Sequence, residues 1–204
     1  MKKIFFVFLS VFINVQMVQA ADVDVDGVKA WFYASPVGQD CDQGDISWIA
    51  EEPAKRYDIA YRDWDDKVAT YTFYEVLCYG GAYNITSVFI ASNEYMPGGF
   101  SLINFVEPDA NYVIYDVEDE EFGTKPVLES WSLAGFYSTP YLVNANFDEE
   151  NKTIGSYAKG RGIGDAFSSN LYSFKNGNWI LTKSFADPTF DGEITPITIF
   201  EITE

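Results

Sequence analysis

Short aromatic and β-branched runs, separated by clusters of Gly, Pro, Asn and Asp, constrain the fold of this chain more than any other feature. None of them extends into a helical apolar pattern of about twelve residues with a capped start. Repeated short strands with turn signals between them are typical of antiparallel sheets. The sequence therefore predicts a mainly β fold, an antiparallel sandwich or a barrel-like domain. The runs, in chain order, are VKAWFYA, KVATYTFYEVLC, AYNITSVFIAS, FSLINFVE, NYVIYDV, PYLVNANFD, KTIGSYAKG, SSNLYSFK, NWILTKSFA and PITIFEIT.

One hairpin can be placed in register. Asn176-Gly177 is a favoured two-residue turn, because both of its central positions must accept a positive φ. Alternate pairs across such a turn share a face, which puts four large apolar side chains together. The predicted pairs are Lys175 with Asn178, Phe174 with Trp179, Ser173 with Ile180, and Tyr172 with Leu181.

Two other stretches carry local predictions. A second hairpin is expected between residues 141–147 and 153–160, through a turn at residues 148–151. The acidic run DVEDEEFGTKP, residues 116–126, predicts a long exposed loop, because such a run is usually solvated.

Composition adds size and charge to this picture. Hydrophobic residues make up 48% and aromatic residues 18% of the 204 residues, which is enough for a packed core in one domain. Lys and Arg number 13 against 31 Asp and Glu, which gives a formal net charge of −18. Nucleic acid and anionic lipid both require a basic face, so neither is expected as a partner. A charge of this sign attracts cations or a basic protein.

Residues 1–20 are typical of an export signal. A basic start precedes an apolar stretch that is too short to span a membrane, and small side chains stand at the cleavage position. We expect cleavage after Ala20, no membrane anchor, and a product in the periplasm or the medium. The rest is expected to form one globular unit from an N-terminal segment, residues 21–56, and a β-rich part, residues 57–204.

An exported chain with two cysteines is expected to contain one disulfide, between Cys41 and Cys78. The loop that this bond would close is long, so the chain-entropy model assigns it about 4 kcal/mol. Two free thiols are the alternative, since the sequence does not show whether the two backbones approach each other.

The stretch KGRGIGD, residues 159–165, places a glycine at every second position. If it is extended, Gly160, Gly162 and Gly164 leave one face bare for close approach by a backbone, an aromatic ring or a ligand. The competing interpretation is a turn in which glycines supply positive φ. A nucleotide-binding interpretation fails, because the spacing is G-x-G-x-G and a hairpin follows where a helix is required.

The charged residues of this stretch also have two interpretations. Lys159 and Arg161 can form ion pairs with nearby acids such as Asp165 or the turn at residues 148–150. In the alternative, Arg161 makes a two-point contact with a carboxylate or sugar acid on a partner.

Three strings, CYGGAYN at residues 78–84, LVNANFD at 142–148 and KGRGIGD at 159–165, are followed by a W-x-L strand. In that order they resemble the bacterial exported family called domain of unknown function 1176. The resemblance covers residues 57–202, which correspond to the C-terminal part of longer members. The resemblance implies export and a β-rich fold, but no activity. It adds Tyr83 and Asn84 to Lys159, Arg161 and Asp165 as a surface for ligand contact or structural anchoring.

The sequence departs from this family at two places. Members usually carry a cysteine after the Gly-Asp, where Ala166 stands, and another after the last hairpin, where FADPTFDG has none. The absence of both cysteines is the pattern expected if one disulfide was lost as a unit.

Residue types exclude several chemistries. The chain has 0 histidines, which removes Ser-His and Cys-His nucleophile activation and His-dependent metal sites. The stretch DVDVDG, residues 22–27, imitates a calcium loop but has Tyr33 where the last ligand should be, so a solvated leader is expected. We expect no cofactor, no metal and no catalytic residue. Paired carboxylates for glycan hydrolysis remain possible, although no spacing selects a pair.

The aromatic residues are expected mostly in the core, as is usual in β-rich domains. Trp131, flanked by two serines, is the expected exposed exception among Trp31, Trp48, Trp64, Trp131 and Trp179. Together these features predict a non-catalytic binding module of the cell envelope, with a basic protein or a cell-wall component as partner. The alternatives are an acidic inhibitor of a basic envelope enzyme such as lysozyme, and a carboxylate-dependent glycan hydrolase.

Overall fold

A computed structural model of the chain describes residues 25–41, 51–93, 95–120 and 123–203. The predicted export signal and Trp48 lie outside the described residues. Within the described ranges, no helix is long and apolar enough to cross a bilayer.

Antiparallel strands make up most of the described chain, which confirms the predicted mainly β fold. Two five-stranded sheets face each other as a sandwich, and neither closes into a barrel. Among the described residues, the helices α1 (Val25–Ala34) and α2 (Pro36–Asp40) precede the strands. The strands are β1 (Lys55–Arg62), β2 (Val68–Gly80), β3 (Ile85–Ser92), β4 (Phe100–Leu102), β5 (Phe105–Asp119), β6 (Gly123–Thr139), β7 (Tyr141–Val143), β8 (Asn146–Asp148), β9 (Thr153–Lys159), β10 (Phe167–Lys175), β11 (Asn178–Asp187) and β12 (Ile197–Glu201).

The strands form three groups. The first sheet has the order β1-β2-β3-β4, and β7 also pairs with β3. The second sheet has the order β12-β11-β10-β9-β8. Strands β5 and β6 pair only with each other, and we call this long hairpin the arm.

Two apolar clusters hold these layers together. One lies between the two sheets and centres on Phe73, whose ring centroid is 5.1 Å from that of Phe147 and 5.4 Å from that of Trp179. The other lies between the first sheet and α1, where Val28 and Phe32 are fully buried. The first sheet is therefore covered on both faces.

This double burial explains the unbroken apolar run in β2. Phe73 belongs to the cluster between the sheets, whereas Tyr74 and Val76 belong to the cluster beside α1. A strand with only one buried face would show alternation instead. The predicted disulfide is confirmed in the same place: Cys41 directly follows α2, Cys78 lies in β2, and their Cα atoms are 4.9 Å apart.

Both predicted hairpins are confirmed. The turn Asn176-Gly177 has φ values of 49° and 81°, and it pairs Phe174 with Trp179 and Tyr172 with Leu181 as expected. Strands β8 and β9 form the second hairpin, with Asp148 opposite Thr153.

Two predictions were wrong. The run VKAWFYA, residues 28–34, is not a strand but most of α1, because Val28 and Phe32 recur at helical spacing and both pack on the first sheet. Residues 25–27 of the DVDVDG stretch begin the same helix, with Asp26 and Gly27 exposed, and residues 22–24 lie outside the described residues. The acidic run at residues 116–126 is not a long loop, since it continues β5 and enters β6.

The described tryptophans divide between core and surface. Trp31 packs on Phe100 and Trp179 packs on Phe73, as expected of core aromatics. Trp131 is 37% exposed, which confirms the predicted exception, but Trp64 is 88% exposed and was not predicted. Trp64 lies in the turn between β1 and β2 and belongs to neither cluster.

Candidate functional site

The three strings that carry the family resemblance meet at one place, which we call the asparagine junction (Tyr83, Asn84, Asn144, Tyr157 and Lys159). Asn84 Nδ2 donates to the Lys159 carbonyl at 2.9 Å, and Asn84 Oδ1 accepts from the Lys159 amide at 3.1 Å. The Tyr83 hydroxyl donates to the Gly160 carbonyl at 3.2 Å. The loop between β2 and β3 is thereby fastened to the end of β9.

Asn144 supplies the centre of the junction. Its φ of 45° is left-handed, a conformation that Asn tolerates better than most residues. Asn144 Oδ1 accepts from the Ile85 amide at 2.9 Å, and its Nδ2 lies 2.9 Å from the Tyr157 carbonyl and 3.0 Å from Asn84 Oδ1. One side chain thus connects the two sheets of the sandwich.

The KGRGIGD stretch is a closed turn between β9 and β10, so its interpretation as an extended segment was wrong. The Gly160 amide donates to the Ala166 carbonyl at 2.7 Å, and Gly164 has a φ of 74°. The two roles considered for the glycines apply at different positions. Gly164 supplies the positive φ, whereas a Cβ on Gly160 would lie 2.9 Å from the Phe190 ring.

Arg161 and Asp165 form the predicted ion pair inside this turn, which confirms that interpretation for Arg161. Arg161 Nε donates to Asp165 Oδ1 at 2.7 Å, and Nη2 donates to Oδ2. Asp165 is 2% exposed, and its Oδ2 also accepts from the Gly192 amide at 2.9 Å. The Arg161 hydrogen bonds hold the pKa of the Asp165 carboxyl well below its usual range, although burial opposes this shift. Lys159 forms no ion pair among the described residues.

The same turn is fastened to the loop after β11. Arg161 Nη2 donates to the Phe190 carbonyl at 3.1 Å, and the guanidinium carbon lies 5.6 Å from the centre of the Phe190 ring. Ala166 is 2% exposed and lies in this turn. The two stretches that lack the cysteines of the resembled family are therefore in contact, joined by hydrogen bonds from Arg161 to the Phe190 carbonyl and from the Gly192 amide to Asp165. That the two cysteines were lost together, as one disulfide, stays a prediction.

Three cavities border this region. A cleft of about 320 Å³ runs past Tyr112, Lys159 and Phe190, and a second of about 300 Å³ is lined by Lys125, Arg161 and Phe190. A smaller cavity of about 90 Å³ lies between the base of the arm and the second sheet. The larger cleft and the small cavity adjoin, because Tyr112, Ser168 and Ala186 line both.

Each of these cavities is lined by one acidic residue. Asp187 is 1% exposed and accepts hydrogen bonds from Thr189 and Thr195, so it holds the loop after β11. Asp191 lies 3.7 Å from the Lys125 ammonium. Glu107, in the small cavity, accepts at 2.6 Å from the Tyr137 hydroxyl.

The surroundings of Glu107 are polar and buried, and sequence reasoning missed them. Burial is the largest influence on Glu107 and raises its pKa, while hydrogen-bonding groups of Tyr137, Tyr172 and Asn170 oppose that shift. Asn170 Oδ1 and the Tyr172 hydroxyl are buried without a hydrogen-bond partner in the described structure. The sequence signal was weak: a polar Asn stands on the inward face of a strand otherwise buried through Tyr172 and Phe174.

Comparisons with family models, with curated proteins and with solved structures found no match. The resemblance to the exported family named above stays a prediction. The functional argument therefore rests on the geometry of this chain.

Proposed function

We propose that the protein is a non-catalytic binding module of the cell envelope, and that it holds a basic protein partner through the arm. The observation that carries this proposal is the arm itself. It pairs with no strand of either sheet, and most of its residues are exposed. The disulfide and the predicted export signal support an oxidising compartment outside the cytoplasm.

The arm exposes large apolar side chains on both faces. Tyr112 lies opposite Trp131 on one face, and Tyr115 lies opposite Val127 on the other. Exposed apolar patches of this kind mark interaction surfaces more often than chance allows. The exposed members are Val106, Tyr112, Val113, Ile114, Tyr115, Trp131, Leu133, Phe136 and Tyr137.

The charge of the arm selects the kind of partner. Strand β5 carries five acidic residues and no basic one, and β6 carries Glu129 and Lys125. Like charges along the exposed edge of β5 oppose pairing of that edge between two copies of this chain. A surface with apolar rings and acidic borders fits a basic protein, which the field of the whole chain also attracts.

Binding kinetics test this proposal. A lysozyme, as a basic envelope-degrading enzyme, is passed over the immobilised protein, with an acidic protein of similar size as a control. We expect lysozyme to bind, and its association rate to fall at least about tenfold between low and high salt. An arm variant, Asp116→Asn with Glu118→Gln, should bind more slowly.

A matched variant removes the same charge elsewhere. Glu149→Gln with Glu150→Gln changes two exposed acids at the turn between β8 and β9, and it should associate faster than the arm variant. Equal loss in both variants would contradict a role for the arm. Measuring lysozyme activity in the same samples distinguishes an inhibitor from a module that binds without inhibiting. In a separate assay without lysozyme, release of soluble product from cell-wall polymer would favour the hydrolase alternative.

A further inference from the structure

The small cavity at the base of the arm is lined by one carboxylate, Glu107, and by one buried amide, Asn170. Asn170 is 7% exposed, lines the cavity, and has no partner for its Oδ1 among the described residues. Tyr172 is 0% exposed, and its hydroxyl is likewise without a partner there. Glu107 and Asn170 line the same cavity. Tyr172 lies two residues after Asn170 on the same buried face of β10, and its ring centroid is 4.8 Å from that of Phe105, two residues before Glu107. Buried polar groups are normally satisfied, and an unsatisfied set of this kind requires an explanation.

The chemistry of these groups defines what they can hold. A carboxylate and an amide oxygen accept hydrogen bonds, and a phenol oxygen can accept one as well as donate. A primary ammonium has three N–H donors and no acceptor, so it complements Glu107, Asn170 Oδ1 and the Tyr172 oxygen. A divalent cation fits less well, since it prefers six or more oxygen ligands and the cavity is lined by a single carboxylate.

The volume of the cavity and its lining residues restrict the class of ligand further. Pockets for whole small molecules measure about 300–1,000 Å³, whereas this cavity measures about 90 Å³ and admits one functional group. Its other walls carry polar groups as well, among them the hydroxyls of Tyr137, Ser168 and Ser184. An alkyl stem would lie in the adjoining cleft, which Phe167 and Phe190 line. The lining residues are Glu107, Pro108, Tyr112, Tyr137, Ser168, Asn170, Ser184, Phe185, Ala186 and Ile199.

We propose that this cavity binds a primary ammonium group on an apolar stem. In a second step, which rests on the proposed function, the group is a lysine side chain of the basic partner. The adjoining cleft of about 320 Å³ would receive the residues beside that lysine. The cavity lies at the base of the same arm that carries the exposed aromatic and acidic residues, so one partner can occupy both.

Titration with n-butylammonium, followed by the amide signals of β5 and β10 in nuclear magnetic resonance spectra, tests the first step. The solution is held mildly alkaline, so that Glu107 is ionised while the primary ammonium stays protonated. n-Butanol, which has the same stem without the charge, is the matched ligand and should bind at least about tenfold more weakly. Shifts of equal size for both ligands would overturn the proposal.

Variants of the protein locate the site. Glu107→Gln should weaken n-butylammonium binding about tenfold, whereas Glu149→Gln, at the exposed turn between β8 and β9, should leave it unchanged. Tyr172→Phe removes one acceptor without changing the shape of the ring, and it keeps the test decisive if Glu107→Gln fails to fold. Unchanged affinity in Tyr172→Phe, or a crystal soaked in n-butylammonium that shows only water in the cavity, would overturn the proposal.

The two steps fail separately. If n-butylammonium binds but no basic protein does, the ammonium site is supported and the proposed function is rejected. If a basic protein binds Glu107→Gln and Tyr172→Phe with full affinity, the lysine step is overturned while the arm keeps its role.

Discussion

Asn84 and Lys159 are 75 positions apart in sequence, yet the side-chain amide of one pairs with the backbone of the other as neighbouring strands do. The amide donates through Nδ2 and accepts through Oδ1, at 2.9 and 3.1 Å. A side chain thus extends the edge of β9 where the chain leaves the sheet. This makes Asn84 a residue whose removal leaves backbone groups unpaired.

We therefore expect Asn84→Ala to lower the free energy of unfolding by about 2–3 kcal/mol, because the partly buried amide and carbonyl of Lys159 would lose their hydrogen-bond partners. Urea unfolding followed by tryptophan fluorescence measures this change. Asn111→Ala, at an exposed position on the arm, is the matched control and should change the same quantity by less than about 0.5 kcal/mol. Similar values for the two variants would show that the junction adds no stability.

The pair of Arg161 and Asp165 predicts a pH dependence. Because the pKa of folded Asp165 lies below its ordinary value of 3.8, this carboxylate stabilises the fold above that pH, and the contribution is lost as the pH falls below it. Asp165→Asn should lower the melting temperature at neutral pH by about 5 °C or more. The difference between variant and parent should narrow in acid.

An exposed ion pair provides the comparison. Arg56 and Asp58 lie 3.2 Å apart, and the Asp58 side chain is 45% exposed. Asp58→Asn should change the melting temperature little at any pH, since exposed pairs contribute little. A constant difference between Asp165→Asn and the parent down to strong acid would contradict the assigned role of Asp165.

The disulfide predicts a local effect as well as a global one. Changing Cys41 and Cys78 together to Ser should lower the free energy of unfolding by about 4 kcal/mol in the chain-entropy model. Hydrogen exchange should quicken first in α1, because the bond joins the end of α2 to β2. Reducing agent should affect the parent protein and leave the double variant unchanged. Unaltered protection of α1 in the double variant would show that packing alone holds the helix.

Tyr172→Phe should act in opposite directions on stability and on binding. Its hydroxyl is buried without a partner in the described structure, so its removal should raise the free energy of unfolding by about 1 kcal/mol. The same change should weaken n-butylammonium binding. Denaturant unfolding without ligand measures the first effect, and a loss of stability there would mean that the hydroxyl already has a partner in the free protein.

The exposed rings of the arm should govern the lifetime of a complex. Trp131→Ser should raise the dissociation rate of a basic partner about tenfold, because large aromatic side chains dominate binding energy. Trp64→Ser removes a more exposed ring outside the arm and should change that rate little. Surface plasmon resonance at fixed salt compares the two, and equal effects would contradict the placement of the interface.

Local chemistry made the confirmed parts of the fold predictable. The turn Asn176-Gly177 specifies its own geometry, and the strands beside it have one buried face that produces alternation. Strand β6 has no such face, since the arm is exposed on both sides, and its sequence therefore shows no strand period. Helix α1 was missed because its stability comes from packing against the first sheet and not from helix propensity.

The candidate sites were predictable only in part. The family-like strings drew attention to Asn84, Lys159 and Arg161, but no local rule shows that Asn84 reaches the backbone of Lys159. The cavity at Glu107 forms only where the base of the arm packs against the second sheet. No sequence motif predicts this long-range contact. The missed residues are therefore those whose surroundings come from distant parts of the chain.

Under the proposed function, the self-contained pairing of β5 with β6 separates the binding surface from the sandwich. Since the outer part of this hairpin completes no ladder of the sandwich, its sequence can diverge without loosening either sheet. Substitutions confined to this hairpin could therefore change the target without changing the sandwich. Grafting a different hairpin onto the sandwich would do the same in the laboratory.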